Sequence, residues 1–267
     1  MGKIIPIISQ YHEAATCIYR PEQQRRVFTI QIPENANPVD NIEFKRALTL
    51  QGFENPNVDH AMVGVDCPSC NACVPLRIVV PDFTASENQK RLERRNKPLA
   101  SGIHRTYCAP THEHYELYRE FYQARIQDRG IENSPVDADT FFVTANIRSH
   151  MQIMRAPLSG KLLSAFYYDD YGDSIYAASQ IYDPAISDKA SLGKYALMKL
   201  VEYARQRGDI RHVYLGSWVK GSKAVDYKKD FHPLEAMTDQ GWVKFDPDKH
   251  VTGPALRLPA RQNLNLD

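Results

Sequence analysis

The 267-residue sequence predicts a mixed α/β (α+β) fold from three observations. Strand-like runs at 150–156, 161–168 and 174–182 are separated by Pro157-Leu-Ser-Gly160 and Asp169-Asp-Tyr-Gly-Asp173. Both separators are good turns, so the three runs read as an antiparallel meander. A strongly periodic helix at 191–207 comes next, and a short strand at 212–215 follows it. A helical crossover allows that last strand to lie parallel to its predecessor.

Taken from the N-terminus, residues 1–105 are rich in Pro, Asn and turn signals, with β-like runs at 27–32 and 76–80. Pro98 and Gly102 break any helix near the end of this part. A helix is expected at 111–129, because Tyr115, Tyr118, Phe121, Tyr122 and Arg125-Ile126 recur at three and four residues; Gly130 is its stop. In the helix at 191–207, Leu192, Tyr195, Ala196, Met198, Leu200 and Tyr203 form the apolar stripe. Ser191 is read as its cap and Gly208 as its end. The tail from Thr252 reads as a loose surface segment, and there is no internal repeat. The expected domains are therefore 1–105, 106–250 and a tail, 251–267. Meander, helix and strand is the core order of the acyltransferase fold known as GNAT. Acyl-CoA enzymes of that fold place a glycine-rich turn before the crossover helix to hold pyrophosphate. Here the stretch 188–194 has one glycine, so an acyl donor other than coenzyme A is expected.

Composition narrows the class. The chain is 43% hydrophobic and 24% charged, within the range of folded globular proteins. Lys plus Arg is 33 and Asp plus Glu is 32, which excludes a polybasic protein but not a local basic patch. No run approaches the roughly 18 apolar residues a membrane helix needs, and the start does not read as a signal peptide. A cytoplasmic protein with no membrane partner is expected.

Five cysteines, three of them within seven residues, do not suit a disulfide framework. Cys67, Cys70 and Cys73 have the two-residue spacing that lets thiolates converge on a metal, and Cys17 is the best fourth ligand. Zinc and an iron–sulfur cluster both suit such a set, as does a metal-free group of buried thiols. Residues 86–105 carry Lys90, Arg91, Arg94, Arg95, Lys97 and Arg105 against Glu87 and Glu93. On a helix Lys90, Arg91, Arg94, Arg95 and Lys97 make a footprint for a phosphate backbone, or a solvated face with internal Glu–Arg pairs. Lys220, Lys223, Lys228 and Lys229 form a second basic group. Tyr214-Leu-Gly-Ser-Trp218 puts aromatic and small residues at a strand's carboxyl end, where open sheets bind ligands; a core role is the plainer reading.

Together these stretches resemble a family. Cys67-x-x-Cys70-x-x-Cys73-Val-Pro-Leu-Arg77-Ile, with Gln89-Lys-Arg91, is similar to the bacterial branch of the aminoacyl-tRNA–protein transferases. So are Ser191-Leu-Gly-Lys-Tyr195, Tyr214-Leu-Gly-Ser-Trp-Val-Lys-Gly-Ser222 and Tyr227-Lys228-x-x-Phe231-x-Pro233. Ile126 and Ser217 depart from the family's pattern, where His and an aromatic residue are usual. The resemblance implies a small Cys-containing N-terminal domain before a GNAT-like domain. It also implies transfer of leucine from Leu-tRNA to proteins that begin with Asp or Glu, which then enter N-end rule degradation. No cofactor is required for transfer; a structural zinc or iron–sulfur cluster would sit on Cys17, Cys67, Cys70 and Cys73. Arginyl transfer to the same acceptors is the alternative within the class, and a non-enzymatic, metal-stabilised RNA-binding protein is the alternative outside it.

Such a reaction needs no enzyme nucleophile, because the ester is already activated. It needs a cation for the acceptor's carboxylate, for which Arg77 is the first candidate and Lys228 the second. Tyr214, Trp218 and Tyr227 are expected to line the aminoacyl pocket, and Lys90, Arg91, Arg94 and Arg95 to hold the tRNA. Tyr214, Tyr227 and Lys228 are the catalytic candidates.

Overall fold

The computed structural model describes residues 3–5, 8–31, 38–54, 61–129, 137–254 and 264–266. In chain order the elements begin with strands β1 (Lys3–Ile5), β2 (Ile8–Tyr11), β3 (Ala15–Thr16), β4 (Gln24–Arg25) and β5 (Val27–Gln31). Helix α1 (Pro38–Leu50), β6 (Ala61–Val65), β7 (Val74–Val79), α2 (Glu87–Asn96) and β8 (Ile103–Tyr107) follow. Next come α3 (His112–Arg129), α4 (Ala138–Asn146), β9 (His150–Arg155), β10 (Leu162–Asp170) and β11 (Ser174–Tyr182). The chain continues through α5 (Pro184–Ala190), α6 (Leu192–Arg207), β12 (His212–Trp218), β13 (Leu234–Thr238), β14 (Gly241–Lys244) and β15 (Leu264–Leu266). The expected mixed α/β character is what the structure has.

The chain falls into two compact units, 1–83 with 212–267, and 84–211. That division departs from the boundary expected near residue 105, and the reason is strand pairing. β7 pairs antiparallel with both β12 and β13, so the segment after residue 211 packs with the N-terminal part of the chain. The tail also departs from expectation at 264–266, which pair antiparallel with β1; residues 255–263 lie outside the described residues.

In the first unit, four strands are neighbours in the order β14-β13-β7-β12, and β2-β5-β6 form a separate sheet. Phe28, Ile30, Phe44, Leu48, Phe53 and Met62 close a core between that small sheet and α1. In the second unit the order is β11-β10-β9-β8, the expected meander extended by one edge strand. Every residue of β10 from Leu162 to Asp169 is buried, because both faces of the strand are covered. Ala165 and Tyr167 pack with Leu117 and Phe121 of α3 and Phe141 of α4 on one side. On the other face of the unit, the Gln152 amide on β9 donates to the Ala196 carbonyl of α6 at 2.8 Å. Among the described residues no helix is long and apolar enough to cross a membrane.

The basic stretch does form a helix. Ser86 and Gln89 make a capping box on α2, worth about 0.5–2 kcal/mol at such a site, and Gln89, Leu92 and Asn96 form its buried face. Ser191 does not cap α6 as expected. It has φ +47°, ψ +49° and makes no side-chain cap hydrogen bond. α5 ends at Ala190, so Ser191 is a left-handed turn between two helices rather than the extended residue a cap requires. Gly208 ends α6 at φ +78°, as its position predicts; Gly130, the expected stop of α3, lies outside the described residues.

Candidate active site

Three strands of the first unit put Tyr214, Arg77 and Glu235 in one row: Tyr214 pairs in register with Arg77, and Arg77 with Glu235. In antiparallel strands directly opposed side chains touch, and these do. Arg77 Nε donates to Glu235 Oε2 at 2.7 Å, Nη2 lies 2.6 Å from the same oxygen, and Nη1 donates to the Tyr214 hydroxyl at 3.1 Å. The guanidinium also lies over the Trp242 ring, 4.5 Å from its centroid. Arg77 is therefore not the unpaired cation the sequence led us to expect. Its charge is balanced by a carboxylate 158 residues away that sequence reading passed over.

Beyond Tyr214 the ladder of β12 is interrupted. The register shifts between Tyr214 and Gly216, and Gly216 takes φ +66°, a conformation that favours glycine at a bulge. Ser217 then stands opposite Pro75, which has no N–H to give. Both backbone groups of Ser217 turn to side chains instead. Its N–H donates to Glu54 Oε1 at 2.7 Å, and its carbonyl accepts from Lys228 Nζ at 2.6 Å. One residue thus joins a carboxylate and an ammonium of opposite charge.

Lys228 is half-buried as a residue, but its amine end is densely surrounded. That burial pushes its pKa down to about 8, with Glu54 and then Cys73 pulling the other way. An ammonium in such a place, hydrogen-bonded to a carbonyl rather than paired with a carboxylate, gains from any anion brought to it. A cavity of about 90 Å³ has Glu54, Ser217, Asp66, Cys70 and Cys73 in its wall; Lys228 does not line it and reaches it only through the Ser217 carbonyl.

The other pocket candidates divide. Trp218 is fully enclosed, its Nε1 donates to Asp226 at 3.1 Å and its ring meets Phe245 edge-on, so it is core. Tyr214 is buried against Arg77 and Trp242. Tyr227 is half-buried beside Phe231. The expected aminoacyl lining is therefore not assembled by these three rings. Tyr214 and Trp218, which their place at a strand's carboxyl end suggested for a pocket, serve packing.

The four cysteines do come together. Cys17, Cys67, Cys70 and Cys73 line one small cavity, about 10 Å³, with Arg20 Nη1 3.9 Å from Cys70 Sγ. All are free thiols. Four soft donors suit zinc or an iron–sulfur cluster in chemistry, yet among the described residues no three His, Cys, Asp or Glu form a metal-holding group. Burial pushes the Cys73 thiol up to about 12, with Glu54 adding to it, and burial does the same to Cys108, in the second unit.

The two basic groups differ. On α2, Arg91, Arg94 and Arg95 are exposed and make no ion pair among the described residues, while Lys90 pairs with Glu87 at 2.8 Å. In the second group Lys220 pairs with Asp248, Lys229 with Asp226, and Lys228 is turned inward. Only the first presents unpaired charge as a row. The residues missed in the sequence are Glu54, Glu235 and Trp242. Glu235 had a signal, since it alternates with Leu234 and Ala236 as a strand residue would; Glu54 had none.

An Arg77→Ala variant follows from this geometry. It leaves Glu235 without its cation and is expected to lose about 1–3 kcal/mol of stability, read as a lower denaturation midpoint. An unchanged midpoint with lost activity would return Arg77 to a substrate role.

Residues 113–238 match the family model described as "Arginine-tRNA-protein transferase, C terminus". The chain is 29% identical over 254 residues to the aspartate/glutamate leucyltransferase of Rhizobium meliloti (strain 1021), covering 90% of this chain and 93% of that protein. It is 30% identical over 241 residues to the protein of the same name from Methylobacterium nodulans, covering 86% and 93%. Among solved structures it is similar to FemX at a TM-score of 0.43 and 8% identity, over 81% of this chain and 82% of that one.

Proposed function

The chain belongs to the aspartate/glutamate leucyltransferase family, and on that premise we propose that it moves leucine from Leu-tRNA to the α-amine of proteins beginning with Asp or Glu. The observation that carries this reading is the likeness to proteins of that name over 93% of their length. The acceptors so marked would enter N-end rule degradation in the cytoplasm. The order β9 to β11, then α6, then β12 is read as GNAT-like, within the expected pairing of a Cys-containing N-terminal domain with a transferase domain.

The acceptor's α-amine, with an ordinary pKa of about 7.7–8.0, is about a quarter to two-fifths neutral at pH 7.5, and in that form attacks the ester carbonyl carbon directly. The C–N bond forms, the bond from carbonyl carbon to ribose oxygen breaks, and the amine's proton passes to that leaving oxygen. Holding the two reactants together can supply roughly 7–11 kcal/mol. Neither Cys73 nor Cys108 is a ready nucleophile near neutral pH, which agrees with direct attack. We assign the acceptor's side-chain carboxylate to Lys228, because Arg77 is already paired. Tyr227, the ring of the three that is not fully enclosed, is the one left for the leucyl group. Arg91, Arg94 and Arg95, with Lys90 beside them, would hold tRNA phosphates. A structural zinc or iron–sulfur cluster would be held by Cys17, Cys67, Cys70 and Cys73 and would tie their loops together; metal analysis of the purified chain reads it directly.

Arginyl transfer to the same acceptors is the second reading, favoured by the description of the matching family model. Leu-tRNA and Arg-tRNA offered separately, with an Asp-starting peptide, distinguish the two.

A further inference from the structure

In the second unit, three rings form a row across the edge of the meander. Tyr107 on β8 pairs in register with His150 on β9, and His150 with Tyr168 on β10. The Tyr107 and His150 centroids are 5.0 Å apart at 34°, and His150 and Tyr168 are 5.5 Å apart at 18°. The inner ring, Tyr168, is fully buried. The outer ring, Tyr107, is 77% exposed, on a strand that ends the order β11-β10-β9-β8. A row of three rings, the inner pair stacked and the outer pair tilted, thus ends on an exposed one.

Two residues before Tyr107, on the same face of β8, stands Arg105. Its Nη2 donates to the Lys199 carbonyl of α6 at 2.8 Å, and its guanidinium lies 4.6 Å from the Tyr203 centroid. It has no ion-pair partner among the described residues. Its Nε and the Tyr168 hydroxyl are both buried without a hydrogen-bond partner. Unsatisfied polar groups at one place are uncommon and call for a ligand or water. Helix α2 is anchored on the same helix α6 by Lys199 Nζ, which donates to Glu93 at 2.5 Å, and on the end of α5 by Asn96 Nδ2, which donates to the Ala190 carbonyl at 2.7 Å. The exposed cations Arg91, Arg94 and Arg95 therefore share α6 as a support with Arg105, and one short 3-10 turn, Lys97–Gly102, leads from α2 to β8.

We infer that this face is a single-stranded RNA contact: an unpaired nucleotide of the tRNA donor stacks on Tyr107 while the flanking phosphates lie on Arg105 and on Arg91, Arg94 and Arg95 of α2. An aromatic platform beside unpaired cations is how proteins hold unpaired nucleotides, because every base has a π-face and every linkage a charge. The inference rests on the proposed use of aminoacyl-tRNA and adds where an unpaired part of it is held.

Binding of the full-length chain to uncharged tRNA, to a single-stranded RNA octamer and to a blunt RNA duplex, at one fixed salt concentration, tests it. Tyr107→Ala is expected to weaken tRNA and octamer binding by about 5- to 150-fold, the effect of losing one base–aromatic stack. Tyr107→Trp retains binding, and the duplex is indifferent to either change. Arg105→Ala is expected to make the log–log salt slope for the octamer shallower by about 0.7. Equal weakening on the duplex, or no effect of Tyr107→Ala on tRNA while Arg91→Glu with Arg94→Glu weakens it, overturns the platform and leaves the transferase reading standing. A wild-type chain that binds no tRNA overturns both.

Discussion

Lys228→Met is expected to lower kcat/KM for an Asp-starting acceptor by about 30- to 5,000-fold, while the folded protein becomes no less stable. The two effects have one cause. The amine is held in a place that burial makes poor for charge, with the Ser217 carbonyl as its hydrogen-bond partner and Glu54 and Cys73 as the nearby acids. If the acceptor's carboxylate pairs with it, removing it takes away a buried charge pair, which costs about 2–5 kcal/mol in comparable interfaces. Preference for Asp over Ala at the acceptor's first position falls with it.

The stability sign runs the other way. Lys228 has a folded pKa of about 8, below the ordinary 10.5, so between those values the unfolded chain binds the extra proton. Its contribution to stability therefore rises with pH from about 8 to 10.5, and its penalty is fully present below 8. Lys228→Met removes that penalty, and with it that slope. In wild-type enzyme the same titration drops kcat/KM for the acceptor as pH rises through about 8. The acceptor amine needs the opposite change, and a bell with a narrow top results. Lys228→Arg keeps its charge and should lose the alkaline limb. Equal activity of the Met variant would remove Lys228 from the acceptor site.

Arg148→Met is expected to destabilise the protein by about 3–5 kcal/mol, a large part of a typical total of about 5–15 kcal/mol. Arg148 Nη1 lies 2.9 Å from Asp169 Oδ2, with the two side chains 0% and 3% exposed. Asp169 also accepts the Ser149 N–H at 2.9 Å, so this carboxylate ties β10 to the chain entering β9. Without the guanidinium it stays buried with its charge uncompensated. Replacing both residues, as Arg148→Met with Asp169→Leu, should recover much of the loss, since well-packed apolar pairs often match buried ion pairs. Chemical denaturation of the two variants reads the difference, and a double variant no better than the single would show that packing rather than charge is at stake.

The parts of the fold legible in the sequence are those with local causes. Gly160 and Gly172 take φ +69° and +89° in the turns of the meander, and Gly208 ends α6; each needs only its neighbours to be read. The site was less legible because its contacts are distant. Glu54 and Ser217 meet across 163 positions, and Arg77 and Glu235 across 158. An Arg beside a motif looks like a binding cation until the strand carrying its carboxylate is in place. The same holds for Trp218, a candidate for the pocket from its place at a strand's carboxyl end, which is enclosed in the core as the plainer reading had it. The cysteines were readable as a group because three are close in sequence, and the fourth, Cys17, is brought to them by loop geometry. The unpaired cations of α2 were readable because a helix face follows from spacing alone.

The central claim is leucyl transfer to an acidic N-terminus. It is tested most directly by incubating the purified full-length chain separately with labelled Leu-tRNA and labelled Arg-tRNA, and an Asp-starting peptide with its Ala-starting counterpart. Label should pass from Leu-tRNA to the Asp peptide, not to the Ala peptide, and not from Arg-tRNA. Label from Arg-tRNA alone, or from neither donor, would contradict it.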